Sequence, residues 1–253
     1  MSWAAERRAL ILLIVGLVAA AVLAIVAISI FYETPSCADG KQNQDETGID
    51  CGGSCAQICT ANAVPPVVEF VRALKQGNRV DVIAYVENPN PSASTYGARY
   101  TIELYRADRS VITEYSSTID LPPASSVPIF IPGAYNGLET VEQAFLAFDG
   151  ASIVWTRDAG DYIVPTVTDV RVTNAHPPRI TATVHNPTAL PLRSVQVVAT
   201  VFDEEDVVVA ASRTVADLIP GQGSANIVFT WNEAFTRAPA RVDVRPTLIP
   251  SRP

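Results

Sequence analysis

RVDVIAYVENPN, residues 79–90, decides the fold. Val80, Val82, Ala84 and Val86 alternate with Asp81, Ile83, Tyr85 and Glu87, the period of a strand with one face in a core. Asn88-Pro89-Asn90-Pro91 then stops the run with turn residues. Downstream, Tyr100, Ile102 and Leu104 alternate with Thr101, Glu103 and Tyr105, and Gly, Pro, Asn or Asp interrupts such runs every ~8–12 residues. From Pro65-Pro66 onward the chain therefore reads as all-β.

The same stretch occurs twice. Val82, Ala84, Val86, Asn88 and Pro89 stand 98 positions before Ile180, Ala182, Val184, Asn186 and Pro187. Leu104-Tyr105 and Asp120-Leu121 with Pro123 stand 97 positions before Val201-Phe202 and Asp217-Leu218 with Pro220, so one loop residue is lost between them. A repeat near 100 residues has the size of an immunoglobulin-like sandwich. The expected organisation is a cytoplasmic N-terminus over 1–8, a transmembrane helix over 9–32, a cysteine-rich linker over 33–63, and sandwiches over 64–163 and 164–253. The fold class is thus all-β, two tandem sandwiches preceded by one transmembrane α-helix and a small disulfide-rich module.

Ala9 to Phe31 is uncharged for 23 residues, long enough at ~1.5 Å per residue to cross a bilayer core. Arg7-Arg8 precede the run while Glu33 and Asp39 follow it, which places the N-terminus in the cytoplasm and the rest outside. Trp3 on one side and Phe31-Tyr32 on the other suit the two membrane interfaces. A cleaved signal peptide ending near Ala27 and Ser29 is the competing reading, against which the run is longer than the usual ~7–15 residue apolar region. The chain carries a formal net charge of −8, and without Glu6, Arg7 and Arg8 the remainder has 16 basic against 25 acidic residues. That balance argues against nucleic acid as a partner and against lying flat on an anionic membrane surface.

All four cysteines, Cys37, Cys51, Cys55 and Cys59, fall in CADGKQNQDETGIDCGGSCAQIC just beyond the apolar run. Outside the cell they should form two disulfides, with three connectivities open. A four-thiolate zinc site is the alternative, but the spacing lacks a paired CxxC pattern. Asp39, Asn43, Asp45, Glu46 and Asp50, with Gly40 and Gly48, also offer the oxygen ligands and turns of a calcium loop. Lys41 at a ligand position departs from an EF-hand, so the expected role is a solvated loop, with calcium as the candidate cofactor. The stretch Asp50-Cys51-Gly52-Gly53-Ser54-Cys55, with Asp39-Gly40 before it, resembles a cysteine motif of many secreted and surface-anchored bacterial proteins. That resemblance covers residues 37–59 and implies no chemistry.

VENPNPSAS with IELYRAD, and VHNPTALPL with VATVFDEED, resemble the late-embryogenesis type 2 domains and the bacterial Phe-x-Leu-Tyr-Asp domains. The resemblance implies a fibronectin-III-like sandwich and no particular activity, and Thr200-Val201-Phe202-Asp203 departs from its Leu-Tyr-Asp pattern. Catalytic motifs are missing: His176 and His185 sit in turn-like sequence, and no GxSxG, HExxH, P-loop or GxGxxG occurs. Trp155, Trp231, Phe145, Phe148 and Phe229 are expected in the cores, and Asp203 to Asp206 on a solvated turn. No enzyme is expected. The reading is a binding or scaffolding protein of the cell envelope, with another envelope protein or surface component as partner. A passive spacer and a calcium-dependent adhesion module are the alternatives. Asn88 to Pro91, Asp203 to Asp206 and Pro132 to Tyr135 are its candidate contact loops. With the second sandwich running to Pro253, the sandwiches themselves are the expected working part.

Overall fold

A computed structural model of the chain describes residues 3–31, 35–157, 162–173, 177–247 and 249–250, so Tyr32, Glu33 and His176 lie outside the described residues. The chain divides into two compact units, residues 1–54 and 55–253.

In the first unit, Trp3–Phe31 forms one helix, α1. Ala and Leu favour the helix, and Pro35 cannot continue one. Within its stretch Arg7–Ser29 an 18-residue window reaches a mean hydropathy of 3.3, so the helix is long and apolar enough to cross a membrane. Ser29 Oγ returns its hydrogen to Ile25 O at 2.8 Å, so even the polar side chain near its end stays satisfied within the helix. Residues 36–54 then run through turns, closed by a bridge between Gly48 and Cys51.

In the second unit, the strands are β1 (Val67–Gln76), β2 (Arg79–Asn88), β3 (Ala93–Tyr105), β4 (Val111–Leu121), β5 (Ser125–Tyr135) and β6 (Gln143–Phe148). Two-residue strands β7 (Thr156–Arg157) and β8 (Tyr162–Ile163) follow. Then come β9 (Thr166–Thr173), β10 (Arg179–His185), β11 (Leu192–Phe202), β12 (Val208–Ile219), β13 (Ser224–Thr230), β14 (Arg241–Pro246) and the short β15 (Ile249–Pro250). Sheet β1-β2-β5 faces sheet β4-β3-β6, and sheet β9-β10-β13 faces sheet β12-β11-β14, so the two sandwiches have the same strand order. All pairings are antiparallel.

The turns follow from their residues. Gly77-Asn78 joins β1 to β2 as a two-residue hairpin, with Gly77 at φ +60°. Between β3 and β4, Arg106 N bonds to Ser110 O and Arg109 sits at φ 67°; between β11 and β12, Asp203 N bonds to Val207 O and Asp206 sits at φ 56°. These two turns are the same device, 97 positions apart.

Every residue from Val80 to Val86 is buried, and so is every residue from Val197 to Asp203. Alternation accounts for half of that. Val82, Ala84 and Val86 fill the first sandwich with Ile102 and Leu104, while Val197, Ala199 and Val201 fill the second with Ile180 and Phe229. The opposite faces of β2 and β11 meet each other: Leu74, Ile83 and Tyr85 pack against Val198, Phe202 and Val208. Sheets β1-β2-β5 and β12-β11-β14 therefore have cores on both sides, and the double sandwich is a four-layer stack. Phe70 stacks on Tyr85 with ring centroids 4.9 Å apart and meets Phe202 edge-on at 6.2 Å.

Polar groups in this middle layer find partners. Tyr85 Oη lies 3.0 Å from Thr200 Oγ1 and 3.3 Å from Asp243 Oδ2. Arg245 donates to Asp243 Oδ2 at 2.7 Å and to Ser126 O at 3.2 Å, with its guanidinium 4.5 Å over the Tyr85 ring. Burial, then the Asp243 carboxylate, push the Tyr85 hydroxyl well above its ordinary range, so it stays a neutral donor. Tyr85→Phe should therefore cost about 1 kcal/mol in denaturant unfolding, the value of one such hydrogen bond. Tyr85→Ala should cost about 3–5 kcal/mol, because it leaves a cavity between the sandwiches.

Candidate functional sites

The loop 36–54 is built around its carboxylates. Asp50 Oδ1 accepts from Asp39 N at 2.9 Å and Gly40 N at 3.1 Å, and Asp39 Oδ1 accepts from Lys41 N at 2.9 Å. Asp39 Oδ2 takes Ser36 N at 3.1 Å and Asn43 Nδ2 at 2.8 Å. Buried Glu46 accepts from Asn43 N and Asp50 N, both at 3.3 Å. The Asn43 side chain, then the Ser36 amide, hold the Asp39 carboxyl below the usual carboxylate range. The chain thus brings Asp39, Asn43, Glu46 and Asp50 together, while Asp45 turns to accept from Ser54 Oγ at 2.8 Å. The carboxylate oxygens of Asp39, Glu46 and Asp50 cap backbone N–H groups, whereas Asn43 Oδ1 is buried with no hydrogen-bond partner among the described residues. A calcium ion at this set would have to compete with those donors.

Cys37, Cys51, Cys55 and Cys59 are all disulfide-bonded, which leaves no thiolate for zinc. The Gly-Gly doublet between the cysteines has a steric cause. Gly52 and Gly53 adopt φ +79° and +54°, and a Cβ on Gly53 would lie 2.2 Å from Asp45 O, a backbone atom that cannot move aside.

The Asn-Pro turns are internal fittings. Asn88, fully buried, points Nδ2 at the carbonyls of Ala93, Leu121 and Pro122 at 2.8, 3.1 and 2.8 Å, and its Oδ1 accepts from Asn90 N at 3.0 Å. Asn186 does the same with Leu190, Ile219 and Pro220 at 2.8, 3.4 and 3.1 Å, and accepts from Thr188 N at 3.0 Å. Asn90 also exchanges two 2.8 Å bonds with the backbone of Val64. Just upstream, Ile58 N bonds to Trp155 O and Gln57 pairs with Thr156. The linker from residue 56 is thereby fastened to the first sandwich, with Trp155 buried beneath it.

The other expected contact loops are also occupied. Pro132-Gly133-Ala134-Tyr135 belongs to β5, and Gly133 N donates to buried Asp81 at 2.7 Å. Asp203 is buried and pairs with Arg237 at 2.7 Å, Glu205 lies 3.9 Å from the same guanidinium, and Asp206 pairs with Arg241 at 3.0 Å, so three carboxylates of the acidic run have guanidinium partners. Half-buried His185 lies at the end of β10, its Nδ1 3.2 Å from Ser224 Oγ. Trp155, Trp231 and Phe229 are in the cores, but Phe145 is 55% exposed, against expectation. It lies on the outward face of an edge strand.

Two clefts of about 470 and 530 Å³ open along one side of the middle layer. Phe130, Pro132 and Arg213 line both. Sequence reasoning missed them because they exist only once β5 meets β12 across the layer.

No protein-family model matches the chain, and no curated protein matches it. Among solved structures, a crystal structure of red sea bream transglutaminase aligns with 75% of this chain at 11% identity and a TM-score of 0.23. The aligned part is 30% of that chain, and a likeness at this level carries no argument about function.

Two measurements test this geometry. Gly53→Ala should yield chains with mispaired or free thiols on alkylation and mass spectrometry, whereas the unaltered protein without reductant should label at none. The second concerns Asp203. Burial works against its carboxylate, yet the Val207 amide, Arg237 and the Glu205 amide outweigh it and hold the group below its usual range. A depressed folded value stabilises the protein above the unfolded value of ~3.9 and is lost as pH falls through the folded one. The unfolding midpoint should accordingly drop as pH falls below about 4, and Asp203→Asn should be less stable at neutral pH with a flatter acid limb. An unchanged acid limb in that variant would exclude Asp203 as a contributor.

Proposed function

We propose that this protein is a non-enzymatic, membrane-anchored binding or scaffolding body of the cell envelope. In this reading residues 9–32 cross the membrane with the N-terminus inside, and the disulfide module and both sandwiches stand outside. Arg7-Arg8 before the apolar stretch and acidic residues after it support the orientation. Four disulfide-bonded cysteines suit an oxidising compartment.

The observation that carries the reading is the middle layer. Two sheets buried on both faces pack the sandwiches against each other, and the Val64–Asn90 and Gln57–Thr156 contacts tie the segment around residues 57–64 to the first of them. Rigid scaffolds presenting loops and edges suit recognition. Shared strand order, the paired roles of Asn88 and Asn186, and the matched turns support descent of both sandwiches from one repeated unit. A spacer gains reach from domains joined end to end; side-by-side packing gives up that reach. The calcium-dependent adhesion reading is weaker, since the loop carboxylates already accept backbone N–H groups.

Protease added to intact cells should remove the chain beyond residue 33 and spare an N-terminal tag, and a protected C-terminal tag would reverse the topology. A mature protein beginning just after Ser29 would instead establish a cleaved signal. To separate binding from spacing, residues 67–246 would be replaced by an unrelated rigid β-sandwich pair. Unchanged cross-linked neighbours in the membrane would favour the spacer.

A further inference from the structure

β6 reads QAFLAF and, among the described residues, hydrogen-bonds on one side only, to β3. Its counterpart in the second sandwich is β14, RVDVRP, which holds the same place beside the central strand. Arg241, Asp243, Arg245 and Pro246 on β14 are the charges and proline that keep an edge strand from pairing with another chain. Other edges are guarded too: β5 carries Pro128 and Pro132, and β9 carries a bulge beside Asp169 and Arg171. β13 is uncharged but shows Ser224, Asn226 and Thr230 outward. β6 shows Phe145, 55% exposed, and its inward residues Ala144, Leu146 and Phe148 are only partly buried.

We propose that β6 is a self-association edge, along which a second copy of this chain adds antiparallel to form a continuous sheet across a two-fold axis. The inference concerns the double sandwich itself and does not depend on where the protein resides.

The register supports a second copy as the occupant. Asp149 N donates to Arg99 O at 2.9 Å, extending the pairs Ala147–Thr101, Phe145–Glu103 and Gln143–Tyr105. In an antiparallel ladder the bonded sites alternate, so the N–H and C=O groups of Ala144, Leu146 and Phe148 point away from β3. A two-fold axis at Phe145 sets Ala144 against Leu146 of the second copy, and Leu146 against its Ala144, as bonded pairs with both partners correctly aimed. Phe145 then meets Phe145 of the second copy at the close, non-bonded site, an aromatic cross-strand pair. Leu146 of each copy would cover the half-open core side of the other.

Charge agrees with this occupant. Two chains of net charge −8 repel over most of their surfaces. Within 143–148 there is no charge, and the flanking Asp149 and Glu139 are neutralised by Arg99 and Arg106. Glu142, at the end of the ladder, is the flanking carboxylate without an ion pair among the described residues. A two-fold contact also closes on itself, so it stops at a pair.

The test uses the full chain in detergent micelles, with protein mass read by sedimentation. A pair of copies is expected. Ala144→Pro removes an outward N–H without touching the β3 ladder, and Phe145→Lys sets like charges opposite; both should give single copies with the unfolding midpoint retained. Phe145→Cys should cross-link into a dimer on non-reducing gels, while Leu138→Cys, on a fully exposed loop, should not, and this readout stands even if the proline variant fails to fold. A single copy for the unaltered chain overturns the proposal. So does a pair that survives both edge variants, or one lost only on Gly16→Leu in the apolar helix.

Discussion

Ile83 and Tyr85 on β2 pressing against Val198 and Phe202 on β11 is the contact on which the rest of the molecule depends. Burying each such side chain is worth ~1.5–3 kcal/mol, so the cluster holds two otherwise independent sandwiches in one arrangement. It also imposes a condition: with a core on either face, the segments Val80–Val86 and Val197–Asp203 have no solvent side for a polar group. Thr200 and Asp81, both buried, are accordingly bonded to Tyr85 and to Gly133 and Arg79. At the border, Arg241 lies 3.7 Å over the Phe202 ring while answering Asp206, and Arg245 covers Tyr85 while answering Asp243. The guanidinium closes the apolar layer and faces water at once.

A second constraint acts at the end of each sandwich, where the chain leaves the middle strand of one sheet, β2 or β10, and crosses to the opposite sheet. Three carbonyls converge there and need donors. One carboxamide supplies them, from Asn88 in one sandwich and Asn186 in the other, while the following proline fixes the exit direction. Aspartate at either position has the acceptor and lacks the donors.

Much of this was legible in the residues. The period-two runs gave the strands, and the cysteines gave their bonded state. The middle layer was also written down: Ile83, Tyr85, Val198 and Phe202 make β2 and β11 near-continuous apolar runs, the mark of strands buried on both faces. Reading the alternation alone obscured it, because a period of two explains one face and says nothing about what covers the other. The turns named as candidate contact loops have an internal role that stayed hidden for a related reason. Asn, Pro and Asp mark exposed turns on average, yet the same side chains serve as internal donors and acceptors when a turn folds back on its own sheet. Phe145 failed in the opposite direction, since an aromatic on a strand is expected inside, and only the sheet order shows that its strand is an edge.

The choice of basic residues links these points. Lysine occurs only at Lys41 and Lys75, so sixteen of the eighteen basic residues are arginine. Arg79 grips Asp81, Arg99 grips Asp149, Arg106 grips Glu139, Arg237 grips Asp203, and Arg241 and Arg245 each combine a carboxylate with an aromatic face. A planar fork fits two acceptors or lies flat on a ring; an ammonium does neither as well. Six of the sixteen arginines are therefore committed to such ties, and the chain as a whole keeps an excess of carboxylates. Any partner that approaches the double sandwich meets an acidic surface broken by neutral edges.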